Sequence, residues 1–182
     1  MSRTSPEFVS SRLSFRRLEL DDAGFLIRLL NEPSFIEHIG DRGVRTVADA
    51  HRYLREGAFA MYERYGFGLW RVARRSDDVP IGMCGLLKRA ALADFDLGYA
   101  YLPEHWRQGY AFEAAQATLR DAARRFGLRR VIGIVSPGNI ASIQLLEKLG
   151  MRFEGVFPMD SREPEVRLYG CALGPDGPLS GA

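Results

Sequence analysis

The chain has 182 residues, of which 46% are hydrophobic and 26% are charged, and this composition is typical of one soluble globular domain. Its formal net charge of +2 is too small to predict a nucleic-acid-binding protein. No apolar run reaches the length of a membrane span, and the N-terminus lacks the apolar core of a signal peptide. The spacing of Cys84 and Cys171 fits no zinc site. We therefore expect a cytoplasmic protein without a bound metal.

The first half of the chain predicts one strand followed by helices. Asp21 and Asp22 suit a helix start, and Thr46 with Asp49 three residues later resembles a capping box. The predicted order is a strand at 12–20, a helix that ends at 31–33, an irregular segment at 34–45, and a helix from Thr46 with a break near Gly57.

The second half predicts strands interleaved with two helices. The predicted strands are 67–74, 81–88, 94–101, 131–135, 152–158 and 166–173, and the predicted helices are 112–126 and 140–149. This order predicts a mixed α/β fold around one sheet, with three antiparallel strands and one parallel, right-handed crossover. We expect a single domain over 1–182, an ordered core at about 10–173, and flexible tails at 1–9 and 174–182.

The segment from Asp94 to Leu128 carries the strongest chemical signal. Apolar residues alternate with polar or small residues up to Tyr101, as in a strand. A turn that contains Gly109 follows, and the apolar residues then recur with helical spacing. The first N–H groups of a helix have no partner inside the helix, and the helix dipole is positive at that end. This segment therefore predicts a phosphate-binding turn.

Several sequence blocks, in this order, resemble the GNAT acyltransferase superfamily, and more narrowly the Rim-type ribosomal-protein alanine N-acetyltransferases. The blocks are Gly66–Trp70, Ile81–Leu86, Trp106–Ala111, Asn139–Ser142 and Glu147–Met151. Trp106 departs from the Gln or Arg that opens the general family turn, but it suits the Rim-type branch. The resemblance covers about residues 10–173 and implies the acyl-CoA N-acyltransferase fold, with helices on both faces of the sheet.

The resemblance also implies how coenzyme A binds. The main-chain N–H groups of Arg107, Gln108, Gly109, Tyr110 and Ala111 would hold the pyrophosphate. The main chain near Tyr101 and Leu102 would bond the pantetheine arm, where the central strand separates from the next one. Asn139 is expected to contact the cofactor, to cap the following helix, or to do both. Tyr99 is expected to pack in the core.

Candidate catalytic residues follow from the same comparison. Many members of the superfamily protonate the departing thiolate with a Tyr that precedes the Glu-Lys-x-Gly block, but this chain has Leu146 there. Ser142 is then the candidate acid, or else a polar residue of the first helical turn. Asp96 is the candidate base, with a structural hydrogen bond as the alternative. Glu163, Glu165, His38 and His51 are weaker candidates, the last two for contact with the acceptor.

These features predict an acetyl-CoA-dependent N-acetyltransferase whose acceptor is a primary amine, either a protein N-terminus or a small molecule. Neither cysteine shows a partner suited to an acyl-enzyme, so we expect direct attack in a ternary complex. The alternative is a non-catalytic acyl-CoA-binding or protein-interaction module. The acceptor pocket is expected within 31–66 and 155–166. The sequence leaves monomer and homodimer open.

Overall fold

The computed structural model describes residues 5–158, 165–174 and 177–178. The strands are β1 Phe8–Val9, β2 Leu13–Arg17, β3 Leu69–Arg74, β4 Pro80–Leu87, β5 Asp96–Tyr101, β6 Arg130–Val135, β7 Arg152–Phe157, β8 Val166–Gly174 and β9 Gly177–Pro178. The helices are α1 Ala23–Leu30, α2 Pro33–His38, α3 Val47–Leu54, α4 Ala60–Tyr65, α5 Tyr110–Phe126 and α6 Ile140–Lys148. A π-helical turn, Arg55–Phe59, joins α3 to α4, near the break predicted at Gly57.

The strands form one mixed sheet in the order β1-β2-β3-β4-β5-β6-β8-β7, and β9 pairs with β8. Every pairing among the described strands is antiparallel except that of β5 with β6. That parallel pair is in register only at Asp96 and Ile132, so the two strands separate beyond this point. Helices lie on both sides of the sheet. The predicted fold class, with its single parallel crossover through α5, is confirmed.

The core forms where the helices cover the sheet. The inner face of α5 carries small or aliphatic side chains, such as Ala115, Leu119 and Ala122, which are almost fully buried. Small residues allow the helix to approach the sheet closely. Trp70 lies on the same face as α5, because Arg125 of that helix lies over its ring, and it is fully buried and stacks on Tyr62, with ring centroids 5.4 Å apart. In the described parts of the chain, no helix is both long and apolar enough to cross a membrane.

The structure corrects the predicted N-terminal tail. Phe8 and Val9 were expected to be flexible but form β1, where Phe8 stacks on Phe15 with ring centroids 4.3 Å apart. Burial of these two rings holds the strand against β2. Residues 1–4 of the predicted tail lie outside the described residues.

Two further predictions of irregular structure need correction. The segment at 34–45 contains most of α2, because Pro33 stands in the first turn of a new helix, where its missing N–H is harmless. The predicted end of the first helix at 31–33 agrees with α1, which ends at Leu30 with Asn31 as its C-cap. At the C-terminal end, Gly174 completes β8 and Gly177–Pro178 form β9, since main-chain pairing to β8 needs no apolar pattern. The other residues of that predicted tail lie outside the described part of the chain.

Candidate active site

The turn that leads into α5 presents main-chain N–H groups. Within the described residues no acceptor is found for the N–H groups of 107–112, and the first bond of this helix end runs from the Glu113 N–H to the Gly109 carbonyl at 3.1 Å. Arg107 and Gly109 have positive φ values of 58° and 78°. This backbone shape, together with the positive end of the helix dipole, makes the predicted cradle suitable for an anion.

The N-terminal strands fix this cradle in place. The guanidinium of Arg12 donates to the Gln108 carbonyl at 3.0 Å and to the Glu113 carboxylate at 2.7 Å, and it lies over the Tyr110 ring. Ser10 donates to the other Glu113 oxygen at 2.7 Å. Sequence reasoning missed these contacts, because Ser10 and Arg12 are about a hundred residues away from Glu113. The one local signal in the sequence was Glu113 itself, an acidic residue in the first turn of α5, where a negative charge is favoured.

Main-chain groups of β5 face the gap where β6 departs. The Leu102 N–H donates to the Ile81 carbonyl at 2.9 Å. In an antiparallel pair every second residue bonds to the neighbouring strand, so the main-chain groups of Tyr99 and Tyr101 point away from β4 and towards the gap. The Tyr101 carbonyl already accepts from Trp106 Nε1 at 2.8 Å. The Leu102 carbonyl accepts from the His105 N–H at 3.0 Å.

These bonds bear on the expected pantetheine contact. Both main-chain groups of Leu102 are engaged within the protein, and the groups left at the gap among the described residues include those of Tyr99 and the N–H of Tyr101. The contact predicted at Tyr101 and Leu102 stays a prediction, and Tyr99 is a further position for it. The bond from the indole of Trp106 to Tyr101 also gives this unusual residue of the turn a structural role.

A cavity of about 760 Å³ lies beside this gap. Its walls come from α2 and the loop that follows it, from β5, and from the start of α6. It brings together residues that are far apart in sequence, among them Tyr53, Arg89, Asp96, Tyr99, Asn139 and Ser142. The predicted acceptor regions contribute Phe35–Arg42, Tyr53 and Val166 to these walls.

Ser142 is tied to two neighbours at the end of the cavity near α6. Its Oγ lies 2.6 Å from Tyr99 Oη, and its N–H donates to Asn139 Oδ1 at 3.1 Å. Asn139 therefore caps α6, and its amide nitrogen keeps two donors. Burial raises the pKa of Tyr99 well above its usual value, so its hydroxyl stays protonated. Tyr99 lines the cavity instead of only packing in the core.

Asp96 is almost completely buried, with 2% of its surface exposed, yet it lines the same cavity. Arg89 Nε donates to its Oδ2 at 2.7 Å, and the Ile134 N–H donates to its Oδ1 at 3.3 Å. Burial raises the pKa of Asp96, and the nearby guanidinium opposes that shift. The structural hydrogen bonds expected as the alternative are therefore present, and the role of Asp96 as a base stays a prediction.

Of the weaker candidates that the structure describes, only His38 lies at the cavity. His38 lines the cavity, whereas the ring of His51 contacts the Leu20 carbonyl at 3.2 Å and lies elsewhere. Glu165 is exposed and is not part of the cavity wall, and Glu163 lies outside the described residues. Burial raises the pKa of Cys84 to about 11, which disfavours a thiolate nucleophile there.

No metal-binding cluster was found in the part of the chain that the structure describes. These residues contain no group of three or more His, Cys, Asp or Glu side chains placed to hold an ion.

Comparison with known proteins agrees with this geometry. Residues 12–152 match the family described as an acetyltransferase (GNAT) domain. The chain is 29% identical over 148 residues to YnaD, an uncharacterized N-acetyltransferase of Bacillus subtilis, and the match covers 81% of this chain and 84% of YnaD.

Two solved structures share the fold. RimL, a ribosomal L7/L12 alpha-N-protein acetyltransferase in complex with coenzyme A, superposes with a TM-score of 0.77 at 17% identity, covering 94% of this chain and 100% of RimL. Spermidine N-acetyltransferase from Vibrio cholerae, in complex with CoA and spermine, has a TM-score of 0.73 at 18% identity, and the match covers 89% of this chain and 96% of that enzyme. The family match over most of the chain shows that this protein belongs to the GNAT acetyltransferase family and is an acetyl-CoA-dependent acetyltransferase.

Proposed function

We propose that this protein transfers the acetyl group of acetyl-CoA to a primary amine by direct attack within a ternary complex. The observation that carries the proposal is the meeting of Asp96 with the Tyr99–Ser142 pair in one cavity, beside the gap between β5 and β6. A carboxylate and a hydroxyl pair that line the same cavity can supply both proton transfers that acetylation of an amine requires.

Acetyl-CoA is expected to bind across the gap. Its pyrophosphate takes the main-chain N–H groups of Arg107 to Ala111, and its pantetheine amides take the open main-chain groups of Tyr99 and Tyr101. Asn139 offers its amide nitrogen on the same side. These contacts hold the thioester near Ser142, so that most of the rate gain comes from positioning.

Asp96 serves as the proton acceptor in this proposal. An acceptor amine is mostly protonated at neutral pH, since its pKa is about 8 to 10.4, and it must lose a proton before it attacks the thioester carbonyl. The raised pKa of the buried Asp96 makes it a better base than an ordinary carboxylate. The proton passes to Asp96 directly or through one water molecule.

Ser142 serves as the proton donor to the leaving sulfur. When the carbon–sulfur bond breaks, the electron pair goes to sulfur, and Ser142 Oγ donates a proton to it. Ser142 regains a proton, through water, from the amine nitrogen, which loses its second proton as the amide forms. A free thiol has a pKa of about 8.5, so only modest help is needed. Cys84 is buried against Thr118, which supports direct transfer without an acyl-enzyme.

The acceptor is a protein N-terminus or a small-molecule amine. The fold leaves this choice open, because the structures that share it include an enzyme for each kind of acceptor.

The function is tested by calorimetry with acetyl-CoA, combined with a free-CoA release assay over a panel of N-terminal peptides and small amines. Saturable binding together with amine-dependent CoA release supports the proposal. Binding without release on any amine would favour the alternative, a non-catalytic acyl-CoA-binding module. Absence of binding would leave the turn before α5 as a purely structural element.

A further inference from the structure

Arg89 presents unused hydrogen-bond donors to the cavity. It lies between β4 and β5, lines the cavity, and has 30% of its side chain exposed. Its Nε donates to Asp96. Within residues 5–158, 165–174 and 177–178, no acceptor is found for its two terminal nitrogens. The planar guanidinium matches a carboxylate in a two-point contact. Arg89 can therefore bind an anionic group without releasing Asp96.

The guanidinium of Arg42 and the hydroxyl-bearing side chain of Tyr53 line the same cavity. Arg42, in the loop after α2, lines the cavity, and its guanidinium donates to the Ile39 carbonyl at 3.3 Å. Tyr53, on α3, lines the same cavity: burial raises its pKa, and the positive charges of Arg42 and Arg89 oppose that shift. Three side chains with hydrogen-bond donors, from three separate segments, thus line one cavity.

The acidic residues of the cavity do not cancel this positive charge. Asp41 is held by Arg45 at 2.7 Å and by the Gly43 N–H at 2.8 Å, so it is already compensated. Glu37 is exposed to solvent at the rim of the cavity. The cavity therefore combines one buried carboxylate, Asp96, with two guanidinium groups, that of Arg89, which is partly buried, and that of Arg42, which is exposed.

We infer that the acceptor is a primary amine that carries a carboxylate near its amino group, and that Arg89 and Arg42 bind this carboxylate while the amine faces Asp96. The inference rests on the proposed function and names its substrate class. Such an acceptor brings one positive and one negative charge, which pair with Asp96 and with Arg89. Buried charges are tolerated when each one is paired, so this arrangement is favourable.

The same charges argue against a polyamine acceptor. A polyamine is positive along its whole length, so the part beyond the reacting amine would face Arg89 and Arg42. Like charges at short range disfavour binding, and the compensated Asp41 offers little relief. We therefore expect spermidine to be a poor acceptor for this protein.

The test compares acceptors that differ only in the carboxylate. One arm contains an α-amino acid, its carboxamide and the corresponding amine without the carboxyl group. The second arm contains the dipeptide amides Ala-Asp and Ala-Asn, so that a side-chain carboxylate is distinguished from a free α-carboxylate. CoA release gives kcat/KM for each, and we expect a preference for the carboxylate of at least about tenfold in one arm, as suits a charge-assisted two-point contact.

Two variants connect this preference to the residues. Arg89→Lys keeps a positive charge beside Asp96 but removes the planar fork, and Arg42→Met removes the second cation without touching Asp96. Each should reduce the carboxylate-to-amide ratio of kcat/KM several-fold, mainly through a higher KM for the carboxylate acceptor. Arg64→Met, a surface arginine over the Tyr65 ring, is the matched control and should leave the ratio unchanged.

The outcomes separate the two proposals. Equal rates with carboxylate, carboxamide and unsubstituted amines, or good activity with spermidine, would overturn this inference and leave the acetyltransferase proposal intact. A preference that survives both arginine variants would also overturn it. Failure of every amine to release CoA would instead defeat the proposed function, and this inference with it.

Discussion

The hydroxyl oxygen of Tyr99 lies 2.6 Å from that of Ser142, which joins the central strand β5 to the first turn of α6. The two residues are separated by 43 positions in the chain. The contact fixes the side chain of Ser142 at the gap between β5 and β6, and it gives the serine a protonated neighbour. The candidate acid is therefore a pair of hydroxyl groups and not an isolated serine.

Removing the Tyr99 hydroxyl should slow the reaction with little effect on binding. We expect Tyr99→Phe to lower kcat by up to about tenfold, the value of one hydrogen bond that orients Ser142. Ser142→Ala should lower kcat by at least as much, and the double variant should be no slower than Ser142→Ala, since the two residues act as a unit. Steady-state kinetics at saturating acetyl-CoA checks this, with Tyr65→Phe, outside the cavity wall, as the control. Additive losses would show that the residues act separately.

Replacing the candidate base should affect the rate more than the binding of acetyl-CoA. Asp96→Asn keeps the shape of the side chain but cannot accept the proton, so we expect kcat/KM for the amine to fall by about a hundredfold or more. Calorimetry should give an unchanged affinity for acetyl-CoA. Asp94→Asn is the matched control, because Asp94 pairs with Arg130 near the sheet and is not part of the cavity wall. A stable, fully active Asp96→Asn protein would reduce Asp96 to a structural role.

The two glycines that bound α5 provide a matched test of the anion cradle. Gly109 and Gly127 have similar positive φ values, 78° and 66°, so an alanine at either position strains the backbone by about 1 to 3 kcal/mol. Only Gly109→Ala adds a methyl group beside the proposed pyrophosphate site, where it also meets Arg12 at 3.4 Å. We expect Gly109→Ala to raise the Kd for CoA about tenfold or more, and Gly127→Ala to leave it unchanged. Calorimetry measures both, and equal affinities would contradict the cradle.

The capping box of α3 predicts a pH-dependent contribution to stability. The Thr46 hydroxyl and the nearby main-chain N–H groups donate to Asp49 and lower its pKa to about 2, below the usual value of about 3.9. A lowered carboxyl pKa adds stability that is fully present above pH 4 and is lost as the pH falls towards 2. Asp49→Asn should therefore lower the midpoint of urea unfolding at pH 6, and this difference should shrink at pH 2.5. Asp21→Asn, on the protein surface, is the control, and a difference that does not change with pH would contradict the assignment.

Local sequence determined the elements and the family of this protein. The alternation and helical spacing of Asp94–Leu128, the box at Thr46 and the glycine at 109 are short-range features, and each one has a direct physical meaning. They were enough to predict the mixed sheet, the parallel crossover and the turn before α5. They failed at Phe8–Val9 and at Pro33–His38, where tertiary packing stabilises short elements whose local pattern is weak.

The tertiary structure decided how the candidate site is assembled. Arg12 reaches Glu113, Tyr99 meets Ser142, and Arg89 meets Asp96 only because the sheet order brings separate segments together. Hydrogen bonding along β4 then determines which main-chain groups of β5 remain open, among them those of Tyr99 and the N–H of Tyr101. Periodicity reports which face of an element is buried, but side-chain partners and open strand edges depend on register and long-range packing. The sequence by itself thus determined the family and predicted an anion site at the turn before α5, whereas the tertiary structure decided which residues surround the cavity.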